Sequence, residues 1–456
     1  MSAAEYDVIV VGARCAGASL AILLSRAGVS VLLLDKDPLP SDQVTSTHTI
    51  HPPGIDVLDE LGVGAAVREG SPATHLVRLR KNDAHVDVEF ADGRAEYCPR
   101  RYRLDGLLQD AAVAAGAELR DRTRATALVE EDGRVVGVRA ETNKQEHTLR
   151  ARLVVGADGR RSTIAKLVEA EEYLTWDAPR AAYWGYWEAP SFWRTDSAYP
   201  FDMYVANTDG NTRLIFQTDN DQLLISSAPP LDQVASWRED PEAALRADLE
   251  SDPVTGPLID GTHLDGRVRG TINERHFFRT ATGPGWVLVG DAGHHKDWLI
   301  GDGITEALLQ ARSLAIAITV ETDQALIQWW RARDVAGVAH HFFARDQGAA
   351  DPPTELDCLV FSHVNEIPEF RARMAATFEH QVSPYEAFPV SKILAWTLGG
   401  ALRGRPGLIG QFLAMGRHVS AVTKELKVRK SLLEEAVEPR IDPGLATVIH
   451  DLVDGF

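Results

Sequence analysis

"VVGARCAG", residues Val10 to Gly17, decides how the rest of the chain is read. It has the first and third glycines of a G-x-G-x-x-G turn, Gly12 and Gly17, but Arg14 stands where the second belongs. That second glycine lets backbone approach a pyrophosphate, so these eight residues cannot carry the assignment alone. The flanks supply the context. Before the turn runs a β-branched stretch to Val11, as in a buried parallel strand. After it, "CAGASLAILLSRAG" has apolar residues at helical spacing and closes at Gly28, and "VSVLLLDKD" is a second buried strand ending in Asp35. A strand–helix–strand unit with an acid about 20 residues beyond the glycine turn suits a ribose hydroxyl. Arg14 offers a charge-assisted bond to phosphate in place of the lost backbone approach.

Length and composition bound the remainder. The 456 residues suggest about two to three domains. With 47 basic and 66 acidic residues the net charge is −19, which disfavours nucleic acid and stable membrane association. Cys15, Cys98 and Cys358 are scattered without C-x-x-C spacing, which predicts a reducing compartment, no disulfide framework and no metal site. The start "MSAAEYDVIVVG" lacks signal-peptide character and no apolar run is long enough to span a membrane, so a cytoplasmic protein is expected.

Further along, "LVRLRKNDAHVDVEF" (76–90) alternates as half-exposed antiparallel strands do, "RRYRLDGLLQDAAVAAGAE" (100–118) reads as a helix, and "ARLVVGADGRRS" (151–162) is another buried strand. Residues 173–230 are strand-rich and aromatic. "GWVLVGDAGHH" (285–295) returns to the buried-strand style, followed by the long helical pattern "GITEALLQARSLAIAI". From Asp323 on the pattern is helical, broken by "DPP", "RGRPG" and "DPG". This interleaving predicts an α/β fold: a discontinuous Rossmann-like domain (1–75, 100–170, 270–322), an inserted antiparallel-sheet substrate domain (76–99, 171–269) and a helical C-terminal region (323–456).

Three pieces taken together, the Gly12–Gly17 turn, "VVGADGRRS" (154–162) and "GDAGHHKDWLIGDG" (290–303), resemble the FAD fingerprint, DG motif and GD motif of the para-hydroxybenzoate-hydroxylase-like flavoprotein superfamily. Its members include aromatic hydroxylases, flavin-dependent halogenases and geranylgeranyl-reductase-like enzymes. The resemblance covers roughly residues 5–320 and implies a glutathione-reductase-type FAD domain with non-covalent FAD. It puts Gly12, Arg14 and Gly17 at the pyrophosphate, Asp35 with its neighbour Lys36 at the adenosine ribose, and Arg101 near the phosphates. Asp158 would contact the pyrophosphate region, and Asp291, behind Gly290, the ribityl chain or pyrophosphate. A helix cap is the other reading of both acids. Gly301, Asp302 and Gly303 would offer backbone N–H groups at a helix N-terminus to the flavin N1 and C2 carbonyl, where the helix dipole favours the anionic reduced ring.

Two departures from the family stand out: Trp298 where proline is frequent over the flavin ring, and Asp302 where glutamine is usual. In "SDQVTSTHTIHPPG" (41–54), His48 and His51 are candidates for a proton or hydrogen bond on the substrate side, or simply two histidines in a polar turn. Eleven aromatics lie between Tyr173 and Tyr204, and in a strand "YWGYW" puts Tyr183 with Trp187 on one face and Trp184 with Tyr186 on the other. One pair is expected to line a pocket, making Trp184, Tyr186 and Trp187 the substrate candidates, and this insertion rather than the C-terminal helices is expected to form the substrate wall.

The resemblance implies a monooxygenase that uses NAD(P)H and O2, through a flavin C4a-hydroperoxide, on an electron-rich, aromatic small molecule. The missing second dinucleotide fingerprint fits direct NAD(P)H reduction and an external flavin reductase equally well. The alternative is a reductase or dehydrogenase of the geranylgeranyl-reductase type. A halogenase is less favoured because W-x-W-x-I-P is missing, and a non-catalytic flavin-binding protein is the remaining reading.

Overall fold

The computed structural model describes residues 5–41, 46 and 48–437. The "DPG" turn (442–444) and part of the 41–54 stretch lie outside them.

Five parallel strands form the first layer in the order Glu118–Arg120, Val31–Leu34, Tyr6–Val11, Gln145–Gly156, Trp286–Leu288, with Thr282–Gly283 antiparallel at the edge. Ile9, Val10, Leu32 and Leu33 are fully buried here, each contributing about 1.5–3 kcal/mol of hydrophobic stabilisation. The helices Cys15–Arg26, Arg101–Ala114 and Gly303–Thr319 pack with this sheet in one core. The first of them ends at Gly28, whose φ of +83° is the left-handed conformation of a helix stop.

The sequence reading had no counterpart for a meander of strands Thr123–Glu131 and Arg134–Thr142 that continues into the long strand Gln145–Gly156. Residues up to Arg150 pair antiparallel within the meander, and from Ala151 on the same strand joins the parallel sheet.

The second layer is a seven-stranded sheet: Leu264–Thr271, Ala182–Glu188, Gln222–Ala228, Asn211–Thr218, Met203–Thr208, Leu76–Lys81, Ala84–Glu89. All its pairs are antiparallel except Met203–Thr208 with Leu76–Lys81, the seam where the two insertions meet. Between the layers lies a small sheet of Glu172–Asp177, Arg275–Arg279 and His294–His295. Beyond the Gly303 helix come Asp323–Gln347, Glu355–Glu366, Pro368–Phe378, Val390–Leu402 and Gly407–Val437. The Glu355 helix starts with a capping box between Thr354 and Asp357. Val364, Phe370 and Met374 from these helices pack on Val86 and Val88 at the edge of the seven-stranded sheet.

Candidate functional site

A cavity of about 560 Å³ runs from the end of Val31–Leu34, past the Gly12 turn, to the seven-stranded sheet. At its first end the walls are mostly backbone. Gly12 has φ +108°, and a Cβ there would stand 2.4 Å from the carbonyl oxygen of Ala157. A Cβ on Gly17 would meet the Gly12 oxygen at 1.9 Å, so this glycine serves the fit of helix against turn and lies under the cavity wall. Asp35 accepts from the N–H groups of Ala13 and Asp37, both at 2.9 Å, which ties the glycine turn to the second strand while Asp35 and Lys36 line the cavity. Arg14 also lines it but turns its guanidinium to Asp37 at 2.9 Å, leaving Nε without a partner.

In the middle, Arg101 is buried and held by both oxygens of Asp105 at 3.0 Å, again with its Nε unpartnered. Asp291 faces the cavity half-exposed, 3.4 Å from His295 Nδ1. Burial opposes its charge, but His295 and Arg160 outweigh it and hold the carboxyl below the ordinary range. Gly290, at φ +59°, leaves room for Ala16. Asp158 follows the cap reading: its carboxylate accepts from Ser162 Oγ and from Thr163 N at 2.6 Å, fixing the start of Thr163–Leu167 at the cavity rim.

At the far end, Gly301 and Gly303 line the cavity, and the Gly303–Thr319 helix opens there with no side-chain cap from Asp302. The first N–H groups of such a helix lack intrahelical partners, so they form an anion-favouring site. The side chain of Asp302 turns away from the cavity. It pairs with Lys296 Nζ and, at 2.7 Å, with His380 Nε2. Lys296 also contacts Glu306 at 2.6 Å, and His294 Nδ1 lies 3.0 Å from the other Glu306 oxygen. Burial would raise Asp302, but His380 and Lys296 hold it well below the carboxylate range, and Lys296 with His294 takes Glu306 down to about 2. Burial works against the Lys296 charge, yet the two carboxylates hold its pKa above the ordinary range. Sequence reasoning missed this network, although Asp302 and Glu306, one turn apart at the start of an apolar helix, call for a nearby cation.

Trp298 and Trp184 line this end with Leu224 and Ala182. Arg180 lies 4.8 Å from the Trp298 ring and pairs with the buried Asp297 at 2.5 Å, so the tryptophan is held from behind. Among the described residues none beyond Gln310 lines the cavity, and the seven-stranded sheet contributes Ala182, Trp184, Leu224 and Ser226 to its wall. Strand alternation divides the aromatic candidates. Trp184 and Tyr186 share the inner face, whereas Trp187 is fully buried on the opposite face with Tyr183 and Trp237, away from the cavity. Tyr186 itself stays behind the wall, its hydroxyl 2.5 Å from His48 Nε2.

Neither histidine candidate reaches the cavity. His48 is buried at φ +64°, and burial, then the charges of Arg101 and Arg100, keep its imidazole well below its usual range. His51 lies between Glu96 (2.6 Å) and the Ile300 carbonyl (2.9 Å). Both partners offer acceptor oxygens, which favours the protonated ring, and Glu96 and Asp302 overcome burial and raise its pKa. It braces the turn before Gly301. Glu274, His276 and His295 bring one ligating atom each within 4.8 Å, the single such trio among the described residues, but Glu274 is already paired with Arg160.

Glycines that a Cβ would drive into neighbouring atoms, unpartnered guanidinium nitrogens and an uncapped helix start fit a dinucleotide with an anionic centre. The class this defines is a flavin-nucleotide-binding α/β protein. The profile of the FAD binding domain family matches residues 5–325, and the chain belongs to that family. It is an FAD-dependent oxidoreductase. It is 28% identical over 322 residues to a digeranylgeranylglycerophospholipid reductase of Methanocella arvoryzae, covering 68% of this chain and 76% of that one. A 1H-pyrrole-2-carbonyl-[peptidyl-carrier protein] brominase of Pseudoalteromonas luteoviolacea is 23% identical, over 70% of this chain and 78% of its own. In fold it is similar to p-nitrophenol 4-monooxygenase PnpA from Pseudomonas putida DLL-E4, with TM-score 0.70 and 18% identity over 83% of this chain and 98% of that one. Among the described residues no helix is long and apolar enough to cross a membrane.

Proposed function

We propose that the chain is an FAD-dependent monooxygenase that uses NAD(P)H and O2 on an electron-rich aromatic small molecule. The observation that carries this reading is the far end of the cavity, where an uncapped helix N-terminus meets a wall of Trp184, Leu224, Ala182 and Trp298. Bound FAD supplies the redox and oxygen chemistry. The residues supply position and exclusion of water. Gly12 and Asp35 shape the nucleotide end, and Asp291, which lines the cavity, would accept a hydroxyl of the bound cofactor. The Gly303 helix start favours negative charge on the ring, and Trp184 with Trp298 keeps the ring end dry. His48 and Tyr186 act as positioning residues behind Trp184.

The test is NAD(P)H oxidation with oxygen monitoring over a panel of phenols, indoles and polyketides. Substrate-stimulated oxygen uptake with an oxygenated product is expected, and adding a flavin reductase tells direct reduction from supplied reduced flavin. The relative that reduces digeranylgeranylglycerophospholipid favours a second reading, a polyprenyl reductase. Anaerobic saturation of a polyprenyl chain, with no oxygenated product from the panel, would establish that reading in place of the first.

A further inference from the structure

We infer that the hairpin formed by the helices Val390–Leu402 and Gly407–Val437 docks on an anionic phospholipid surface. In a chain of net charge −19, residues 387–424 contain no Asp or Glu and carry Lys392, Arg403, Arg405, Arg417 and Lys424. All five cations are exposed. Charge exclusion from anionic lipid, fair for the chain as a whole, therefore reverses locally.

The same hairpin exposes an apolar stripe. Val390, Leu394, Leu398 and Leu402 recur every fourth residue and so share one helix face, and they are 55%, 39%, 48% and 90% exposed. Ile409 and Leu413 extend the stripe on the next helix. This exposure does not come from poor folding. The inner sides, Ile393 and Leu408, pack on Leu356 and Leu359, and Gly400 is where the Leu408 side chain closes on the first helix. Leu402 is the most exposed and is the last residue of its helix, next to Arg403 and three residues before Arg405. An apolar stripe with cations near it, its most exposed residue at the helix end, is the composition of an interfacial element.

Charge argues against a second copy of the chain as the occupant. A second copy seated face to face would set five cations against five. The inference is independent of how the cavity is read.

The experiment is flotation of the full-length, FAD-loaded protein with vesicles of phosphatidylcholine alone or mixed with phosphatidylglycerol. Flotation with the mixed vesicles only, weakened by salt, is expected. Arg403→Gln with Arg405→Gln, and separately Leu398→Gln with Leu402→Gln, should each cut partitioning on the order of tenfold. FAD content and circular dichroism should stay unchanged. The inference is overturned by no flotation with the mixed vesicles, by flotation undiminished in both variants, or by a concentration-dependent dimer abolished by Leu398→Gln with Leu402→Gln in the absence of flotation. Binding of an acidic protein in place of vesicles overturns it as well.

Discussion

At the Gly12 end the cavity is shaped by main chain: a left-handed glycine, a backbone N–H on Asp35 and an ion pair at Arg14 that is partly open to solvent. At the Gly303 end it rests on buried charge, with Lys296 locked between Asp302 and Glu306 and histidines on either side. Backbone geometry does not titrate and tolerates few substitutions. Buried charge titrates, and losing one member leaves the others stranded. The two ends should therefore fail in different ways.

Lys296→Met gives the largest expected effect, because it leaves Asp302 and Glu306 buried without their cation. About 3–5 kcal/mol of stability should be lost in urea unfolding, and adding Glu306→Gln should recover part of it. A loss under 1 kcal/mol would mean the network is not a stability element, and the contrast between the two ends would collapse.

The pH dependence should come from the ring end. Glu306 titrates at about 2 in the folded chain, below its ordinary value near 4.5, so its contribution is complete above that ordinary value and fades as pH falls through about 2. His51 has the opposite sign: its raised pKa gives stability that is full below about 6.5 and is lost as pH rises through the folded value. Urea midpoints measured across pH should show a shallower acid limb in Glu306→Gln, where Asp302 and Asp291 still titrate, and a weakened alkaline one in His51→Gln.

Gly12→Ala tests the backbone end. Strain of about 1–3 kcal/mol or more should appear as weaker FAD binding in a fluorescence titration, with pH dependence like that of the parent chain. Trp298→Ala should leave FAD occupancy nearly intact and change the ratio of product to NAD(P)H consumed, since a ring worth roughly 0.5–1.5 kcal/mol beyond its burial has gone from the wall. Unchanged coupling would place Trp298 with the structural aromatics. The smallest effect belongs to Arg14→Gln, whose partly exposed pair with Asp37 should contribute at most about 1 kcal/mol.

What the sequence made legible follows the same division. The turn, the Gly28 helix stop and the buried strands were readable because they depend on local glycine placement and β-branched runs. The residue pairings of Lys296, Arg180 and His380 were not, since their partners come together only through the fold. Strand alternation separated Trp184 from Trp187 correctly but could not say which face was inner. The Thr123–Glu131 and Arg134–Thr142 strands went unread, because their buried apolar positions, Ala125, Val135, Val138 and Ala140, are small or widely interrupted by charged residues and carry little hydrophobic signal. Net charge averages over residues 387–424, which hold five cations and no acid, so it could not show that this segment differs in sign from the rest.

The strand Gln145–Gly156 has a temporal consequence. Val155 pairs with Val10 on one side, while its neighbour Val154 pairs with Trp286 on the other. At about 5–20 residues per second, a ribosome delivers Gly303 roughly 15–60 s after Gly12. Until then the nucleotide turn has a partner strand but no ring end, and until Trp286 arrives the Val154 side of the sheet is a bare edge. Completion of the ring end is thus a late event in the life of the nascent chain, and a product truncated before Trp286 would carry an open strand edge prone to pairing with other chains.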